Sequence, residues 1–137
     1  QSSSIGRYFD AISSLGGICQ IQSYEGEAGL LSEQNLKIID DSFEYNIIDG
    51  VIDIKFDFFD DKIVSKFYAT LVKIIVDITI KEKLPIILSG GVWQNKTLLE
   101  FTCKTLDKHN IKYYYNTTTP INDGGIALGQ IWSYLSD

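Results

Sequence analysis

Pro85-Ile86-Ile87-Leu88-Ser89-Gly90-Gly91-Val92-Trp93-Gln94-Asn95 decides how the chain is read. The opening run is short and wholly apolar, the pattern of a strand whose sheet is covered by helices on both faces. Ser89-Gly90-Gly91 turns the chain, and a helix is expected from about Asn95 to Lys108. Ile111 to Tyr115 reads as a second strand. Strand, helix and strand in that order imply a right-handed crossover and parallel pairing. Open α/β sheets bind ligands at the carboxyl ends of their strands, which is where the Ser89–Asn95 turn falls. Two glycines remove side chains, so that a ligand can approach the backbone, and the N–H groups after them face outward. A tight strand-to-helix turn asks for the same residues, so the glycines alone leave both readings open. The segment does not match the GxxxxGK[ST] pattern of a phosphate-gripping P-loop.

Towards the C-terminus, a Thr117-Thr118-Thr119-Pro120 loop leads to Asn122-Asp123-Gly124-Gly125 and a last helix carrying Ile126, Leu128, Ile131 and Leu135. Asp123 is either the cap of that helix or a carboxylate aimed at a metal or a polarised water. In the other direction lies the strongest periodic signal of the chain. Ile63, Phe67, Leu71, Ile74/Ile75 and Ile78 make one face of a helix from about Lys62 to Lys83. Asp57, Asp60 and Asp61 precede it and suit its N-terminal dipole. Phe43 to Ile54 alternates around Asp49-Gly50 and suggests a hairpin. A helix from Gly26 to about Asp41 would turn Ala28, Leu31 and Leu36 or Ile38 inward. An earlier one, capped by Ser2-Ser3-Ser4, would do so with Ile5, Phe9, Ile12 and Leu15, and end at Gly16-Gly17. Glu25 and Glu27 suit a helix start by charge alone. Arg7 and Asp10, three apart, read as a surface ion pair. The fold class is mixed α/β, expected as a single domain over residues 1–137.

Composition narrows the chemistry. The 137 residues are 45% hydrophobic, and 12 Lys+Arg stand against 18 Asp+Glu, a net charge of −6. That charge disfavours nucleic acid as a partner. No apolar run approaches the roughly 20 residues that cross a bilayer, so no membrane partner is expected. Cys19 and Cys103 form no CxxC pair and read as small buried residues of a reducing, cytoplasmic compartment. His109, the one histidine, sits at a helix end, where it serves the C-terminal dipole better than a metal. No catalytic triad can be assembled, and Tyr113-Tyr114-Tyr115 reads as strand, not as a base-stacking platform. The chain contains no methionine, from which we expect a piece of a longer protein carrying half of a site.

Four segments, taken in order, resemble a known family: Ser2 to Ala11, Tyr24 to Ala28, Leu88 to Asn95, and Asn122 to Gln130. The chain is similar from Ser2 to about Trp132 to the C-terminal end of the carbamoyltransferase that matures NiFe-hydrogenases. The pairing of SGGVWQN with NDGGIALGQ is what makes the likeness specific. The resemblance implies the second lobe of an actin-like, sugar-kinase-like ATPase fold (ribonuclease H-like), with a mixed sheet and flanking helices. Related modules include the tRNA threonylcarbamoyladenosine synthases and antibiotic O-carbamoyltransferases.

The resemblance also implies roles. Gly90, Gly91 and Asn95 would line the adenosine side of a nucleotide pocket. Asp10 and the Gly26-Glu27 turn would meet the ribose or adenylate from the opposite wall. Asp123 would give one ligand to a divalent metal, whose histidines come from elsewhere. Arg7 lies near the second wall, and Tyr8 and Trp93 are packing residues. The implied ligand is ATP or carbamoyl-adenylate. The implied acceptor is the C-terminal cysteine thiol of a hydrogenase maturation protein, on the route to the cyanide ligands of the iron. The remaining domains of the longer chain would complete the site, and this chain alone is expected to fold without transferring a carbamoyl group. No catalytic side chain is expected here. An O-carbamoyltransferase of a small-molecule pathway and a non-catalytic nucleotide-binding or docking lobe are the alternatives.

Overall fold

The computed structural model describes residues 4–37, 41–58 and 60–136. They fall into two compact units, Gln1–Asp77 and Ile78–Asp137. The first holds α1 (Ile5–Leu15), α2 (Glu27–Gln34), β1 (Glu44–Ile48) and β2 (Val51–Lys55). Helix α3 (Ile63–Glu82) begins in the first unit and ends in the second, followed by β3 (Ile86–Leu88), α4 (Lys96–Lys108), β4 (Tyr113–Tyr115) and α5 (Ile126–Ser136).

The first unit forms around α3. Ile63, Phe67, Leu71 and Ile74 are buried as their spacing predicts, with Phe67 and Tyr68 fully enclosed. Phe9 of α1 meets both rings edge-on, at 5.1 and 5.4 Å between centroids. Burying each such side chain contributes about 2–3 kcal/mol. Asp60 Oδ1 accepts from the Lys62 N–H at 2.8 Å, so an acidic residue does tie down the start of this helix. Lys66 Nζ then grips Asp60 at 2.6 Å and Asp41 at 2.8 Å, which holds both carboxyls below their usual range. The hairpin is antiparallel with Ile48 opposite Val51, and Asp49 (φ 50°) and Gly50 (φ 76°) close it as a type I′ turn. Tyr8 stacks against Phe56 and Phe67, the packing role expected of it.

Several expectations need correction. Helix α2 stops at Gln34 and not near Asp41, because Asn35 donates from Nδ2 to the Leu31 carbonyl at 2.8 Å and takes over the C-terminus. Ser4 occupies the N-cap position of α1, but its side chain makes no capping bond. Ser2, Ser3 and Ile38 lie outside the described residues. Leu15 and Ile78 are exposed. There is also no single mixed sheet among the described residues: β1–β2 and β3–β4 are separate two-stranded sheets, the first antiparallel and the second parallel.

In the second unit, β3 pairs with β4 in the register Ile86–Tyr113, Ile87–Tyr114 and Leu88–Tyr115, with α4 as the crossover. The parallel pairing read from the sequence is therefore present. Coverage on both faces is not. Leu88 is buried, while Ile87, on the opposite face by strand alternation, is 74% exposed. A two-stranded sheet can be apolar throughout and still have a cover on one face only. Trp93 is buried, as expected of a packing residue.

Candidate functional site

The two glycine-bearing turns of the second unit meet. Gly90 donates its N–H to the Ile121 carbonyl at 2.8 Å, which ties the Ser89–Gln94 turn to the Asn122–Gly125 turn. Both lie just beyond the carboxyl ends of β3 and β4, as the strand-end rule requires. A hollow of about 270 Å³ lies at the ends of the two strands, lined by Ile87, Leu88, Tyr114, Tyr115 and Asn116, and it reaches the first turn through Ser89. Tyr115 reads from the sequence only as strand, and Asn116 is not picked out there. The parallel register carries the signal for them, since the residues after the Leu88–Tyr115 pair are Ser89 and Asn116.

The first turn is built on Gly90. Its backbone (φ 108°, ψ 164°) lies in a region open almost solely to glycine. Residues Gly91–Gln94 then form a 3-10 turn, and Asn95 starts α4 by accepting the Leu98 N–H on Oδ1 at 2.9 Å. Asn95 therefore has a structural task at the position expected to line a nucleotide. Gly91 has none that the chain reveals. A Cβ built there would meet nothing within 4 Å, and its backbone is not in the left-handed region.

The second turn shows which residue caps. Asn122, not Asp123, accepts the Gly124 N–H at 3.1 Å and occupies the N-cap of the 3-10 turn Asp123–Gly125. The Asp123 side chain is left exposed and uncommitted to the cap. The capping alternative read for Asp123 thus passes to its neighbour. The signal for this was in the sequence, because Asn and Asp cap equally well and stand side by side. Gly125 is needed for closeness: an added Cβ would lie 2.7 Å from the Pro120 carbonyl oxygen.

Among the described residues, no group of three or more His, Cys, Asp or Glu can hold a metal. What the turn offers a cation is one exposed carboxylate, which fits a divalent ion only if other polypeptide supplies the rest of the shell. His109 is the exposed C-cap of α4. Cys103 lies half-buried on α4, and burial pushes its thiol above the ordinary range. It is not a poised nucleophile.

In the first unit, the residues expected on the other wall converge on one short segment. Asp10 takes a hydrogen bond from Gln22 Nε2 at 2.8 Å, not from Arg7. Glu27, the first residue of α2, accepts the neighbouring Ser23 N–H. Gly26, at the N-cap of α2, has nothing within 4 Å of an added Cβ. The loop through Gln22 and Ser23 thereby gathers Asp10 and the Gly26-Glu27 turn around itself.

Known proteins show what the chain is similar to. Residues 1–130 match a family described as carbamoyltransferase, Kae1-like domain, second subdomain. Carbamoyltransferase HypF of Synechocystis sp. is 30% identical over 146 residues, covering 95% of this chain. HypF of Rhodobacter capsulatus is 31% identical over 142 residues, covering 94%. The chain spans 19% of the length of each. A crystal structure of full-length HypF in its phosphate- and nucleotide-bound form superimposes with a TM-score of 0.80 at 30% identity, over 93% of this chain and 23% of that one.

Proposed function

The chain belongs to the Kae1-like carbamoyltransferase domain family, as the second subdomain, and from that premise we propose that it supplies part of a nucleotide cleft for carbamoyl transfer. The observation that carries the reading is Gly91. Its neighbour Gly90 is fixed by its backbone angles, but Gly91 is demanded neither by conformation nor by crowding. A bare backbone at the end of a strand, opening on free space, suits the close approach of a ligand.

In this reading the chain is the second lobe of an actin-like ATPase fold. Gly90, Gly91 and Asn95 face the adenosine part of ATP or of carbamoyl-adenylate, Asn95 while also capping α4. Asp10, Gly26 and Glu27 meet the ribose or the adenylate. Asp123 gives one carboxylate to a divalent metal completed by other domains. When bound, such a cation polarises a carbonyl oxygen. The acceptor is the C-terminal cysteine thiol of a hydrogenase maturation protein. Its sulfur bonds to the carbamoyl carbon, the bond from that carbon to the phosphate oxygen breaks, AMP leaves, and the thiol proton is released. This chain's part is to hold the nucleotide so that the sulfur can add to the face of the carbamoyl carbonyl and AMP can then be expelled. A half-buried Cys103 with a raised pKa suits direct transfer, without a covalent relay on the chain.

The test is nucleotide titration of the chain joined to the remaining domains of a family carbamoyltransferase, with and without the substitution Gly91→Val. The substitution is expected to weaken ATP binding at least tenfold with an unchanged circular dichroism spectrum. Equal affinity would reduce Ser89–Asn95 to a structural turn.

A further inference from the structure

The segment from Ile18 to Gln22 folds back along α1 and bonds to it at three levels. The N–H groups of Ile18 and Cys19 donate to the Ser13 carbonyl at 2.9 and 3.3 Å. Gln20 pairs twice with Ser14: its Nε2 donates to the carbonyl at 2.6 Å, and its Oε1 accepts from the hydroxyl at 3.0 Å. Gln22 then reaches Asp10, whose Oδ1 accepts from Nε2 at 2.8 Å. Asp10 and Ser14 are four residues apart, so they share a face of α1 about 6 Å apart along its axis. Two residues of chain reach at most about 7 Å, so Gln20 and Gln22 match those two levels. The first two levels already pin the segment, and Cys19 is buried between them. The third adds little to folding, because Gln22 is exposed and both partners could bond to water instead. What it fixes is the direction of one carboxylate.

We propose that Gln22 is a positioning residue, which holds Asp10 so that its second carboxylate oxygen receives a ribose hydroxyl of the nucleotide. This rests on the reading of Asp10 as a ribose contact and adds the residue that aims it. A free Asp carboxyl turns broadly about its last torsion, and a ligand would have to stop that motion on binding. With Oδ1 tied to Gln22, the turn is already stopped. A neutral amide suits the task because Nε2 takes one oxygen, and Oδ2 has no other hydrogen bond among the described residues. The ion pair expected with Arg7 would do the opposite, since a guanidinium commonly engages both oxygens. The next residue treats Glu27 in the same way: the Ser23 N–H holds Oε2, and Oε1 has no partner among the described residues. One short loop thus sets two carboxylates, each by a single oxygen.

Titration of the chain joined to the remaining domains of a family carbamoyltransferase tests it, with ATP and 2′,3′-dideoxy-ATP as the two probes. Gln22→Leu is expected to weaken ATP binding about fivefold, the scale of one hydrogen bond, and to leave the affinity for the dideoxy nucleotide unchanged. Asp10→Ala is expected to show the same selective loss. Adding Gln22→Leu to Asp10→Ala should then weaken ATP no further, because Gln22 acts only through Asp10. Equal losses for the two nucleotides in Gln22→Leu would overturn the proposal in favour of a structural role. An unchanged ATP affinity in Gln22→Leu, beside a selective loss in Asp10→Ala, would overturn it while leaving Asp10 on the ribose. Asp10→Ala without a selective effect on ATP would overturn the ribose contact and the role of Gln22 together.

Discussion

The turns at Ser89–Gln94 and Pro120–Gly125 each carry a Gly-Gly pair ahead of a helix, and they use those glycines differently. In the first, Gly90 is held at φ 108° and ψ 164°, and Gly91 sits in open space. In the second, Gly125 lies where a Cβ would come within 2.7 Å of the Pro120 carbonyl oxygen, and Gly124 within 3.1 Å of Asn122 Oδ1. Gly90 answers to backbone angle and the second pair to crowding, and of these four glycines only Gly91 is left without a reason of either kind. A glycine the fold requires says nothing about a ligand. A glycine the fold does not require is where a ligand argument can begin.

The comparison breaks first at Gly125. The oxygen facing it belongs to backbone, which cannot swing aside as a flexible side chain would. Gly125→Ala should cost about 2–3 kcal/mol of stability, the scale of overpacking in a tight site. Urea denaturation measures it, and a loss below about 0.5 kcal/mol would mean that the Pro120–Gly125 turn relaxes freely. Gly90→Ala comes next, at about 1–3 kcal/mol, because only glycine adopts these angles without strain. It should also loosen the second turn, since the Gly90 N–H holds the Ile121 carbonyl. Faster exchange of the residue-90 amide in the variant would show this.

How much of this was legible in the sequence follows from which forces act locally. The α3 stripe and the Asp49-Gly50 hairpin were readable, because helical periodicity and the type I′ turn are encoded within a few residues. The order β3–α4–β4 was readable from local patterns, and the parallel pairing followed from the crossover that this order imposes. The length of α2 was not, since it depends on whether Asn35 bonds the backbone or the solvent. Neither was the exposure of Ile87, because an apolar strand shows that cover is wanted and not where the cover comes from. In the site, both turns were located from glycines and strand ends, while the cap offered as one of two readings of Asp123 falls one residue earlier, on Asn122. Asn122 and Asp123 are equivalent by propensity, and only the fold distinguishes them. The same limit applies to Gly91, whose difference from Gly90 is a dihedral angle.

Asn122 and Asp123 sharpen the second turn. Asn122→Ala removes the acceptor of the Gly124 N–H and should cost about 1 kcal/mol. Asp123→Asn should change stability by only a few tenths of a kcal/mol, because its carboxylate caps nothing. In an assembled carbamoyltransferase the order reverses: Asp123→Asn removes an anionic donor and should lower metal content and transfer rate together. Melting temperature, metal content and rate measured on the pair separate the roles. Unchanged metal content and rate in Asp123→Asn would leave that carboxylate without a function.

No loss of stability is expected at Gly91, and that makes it the most telling position. Its backbone lies outside the left-handed region and an added Cβ meets nothing within 4 Å, so Gly91→Ala introduces neither strain nor a clash. Replacing glycine where alanine fits also restricts the unfolded chain, which stabilises by about 0.4–1 kcal/mol. Gly91→Ala should therefore melt at the same temperature as the parent chain or slightly above it. If the open space beside Gly91 belongs to a nucleotide, the same methyl group lies against the ligand, and affinity should fall although stability does not. Gly91→Val should weaken binding further, since its branches extend into that space. Stability unchanged or raised, with affinity decreasing from Gly to Ala to Val, is the pattern of a glycine kept for a ligand. A loss of stability in Gly91→Ala would instead place Gly91 with Gly90 and Gly125, among the glycines that the fold itself demands.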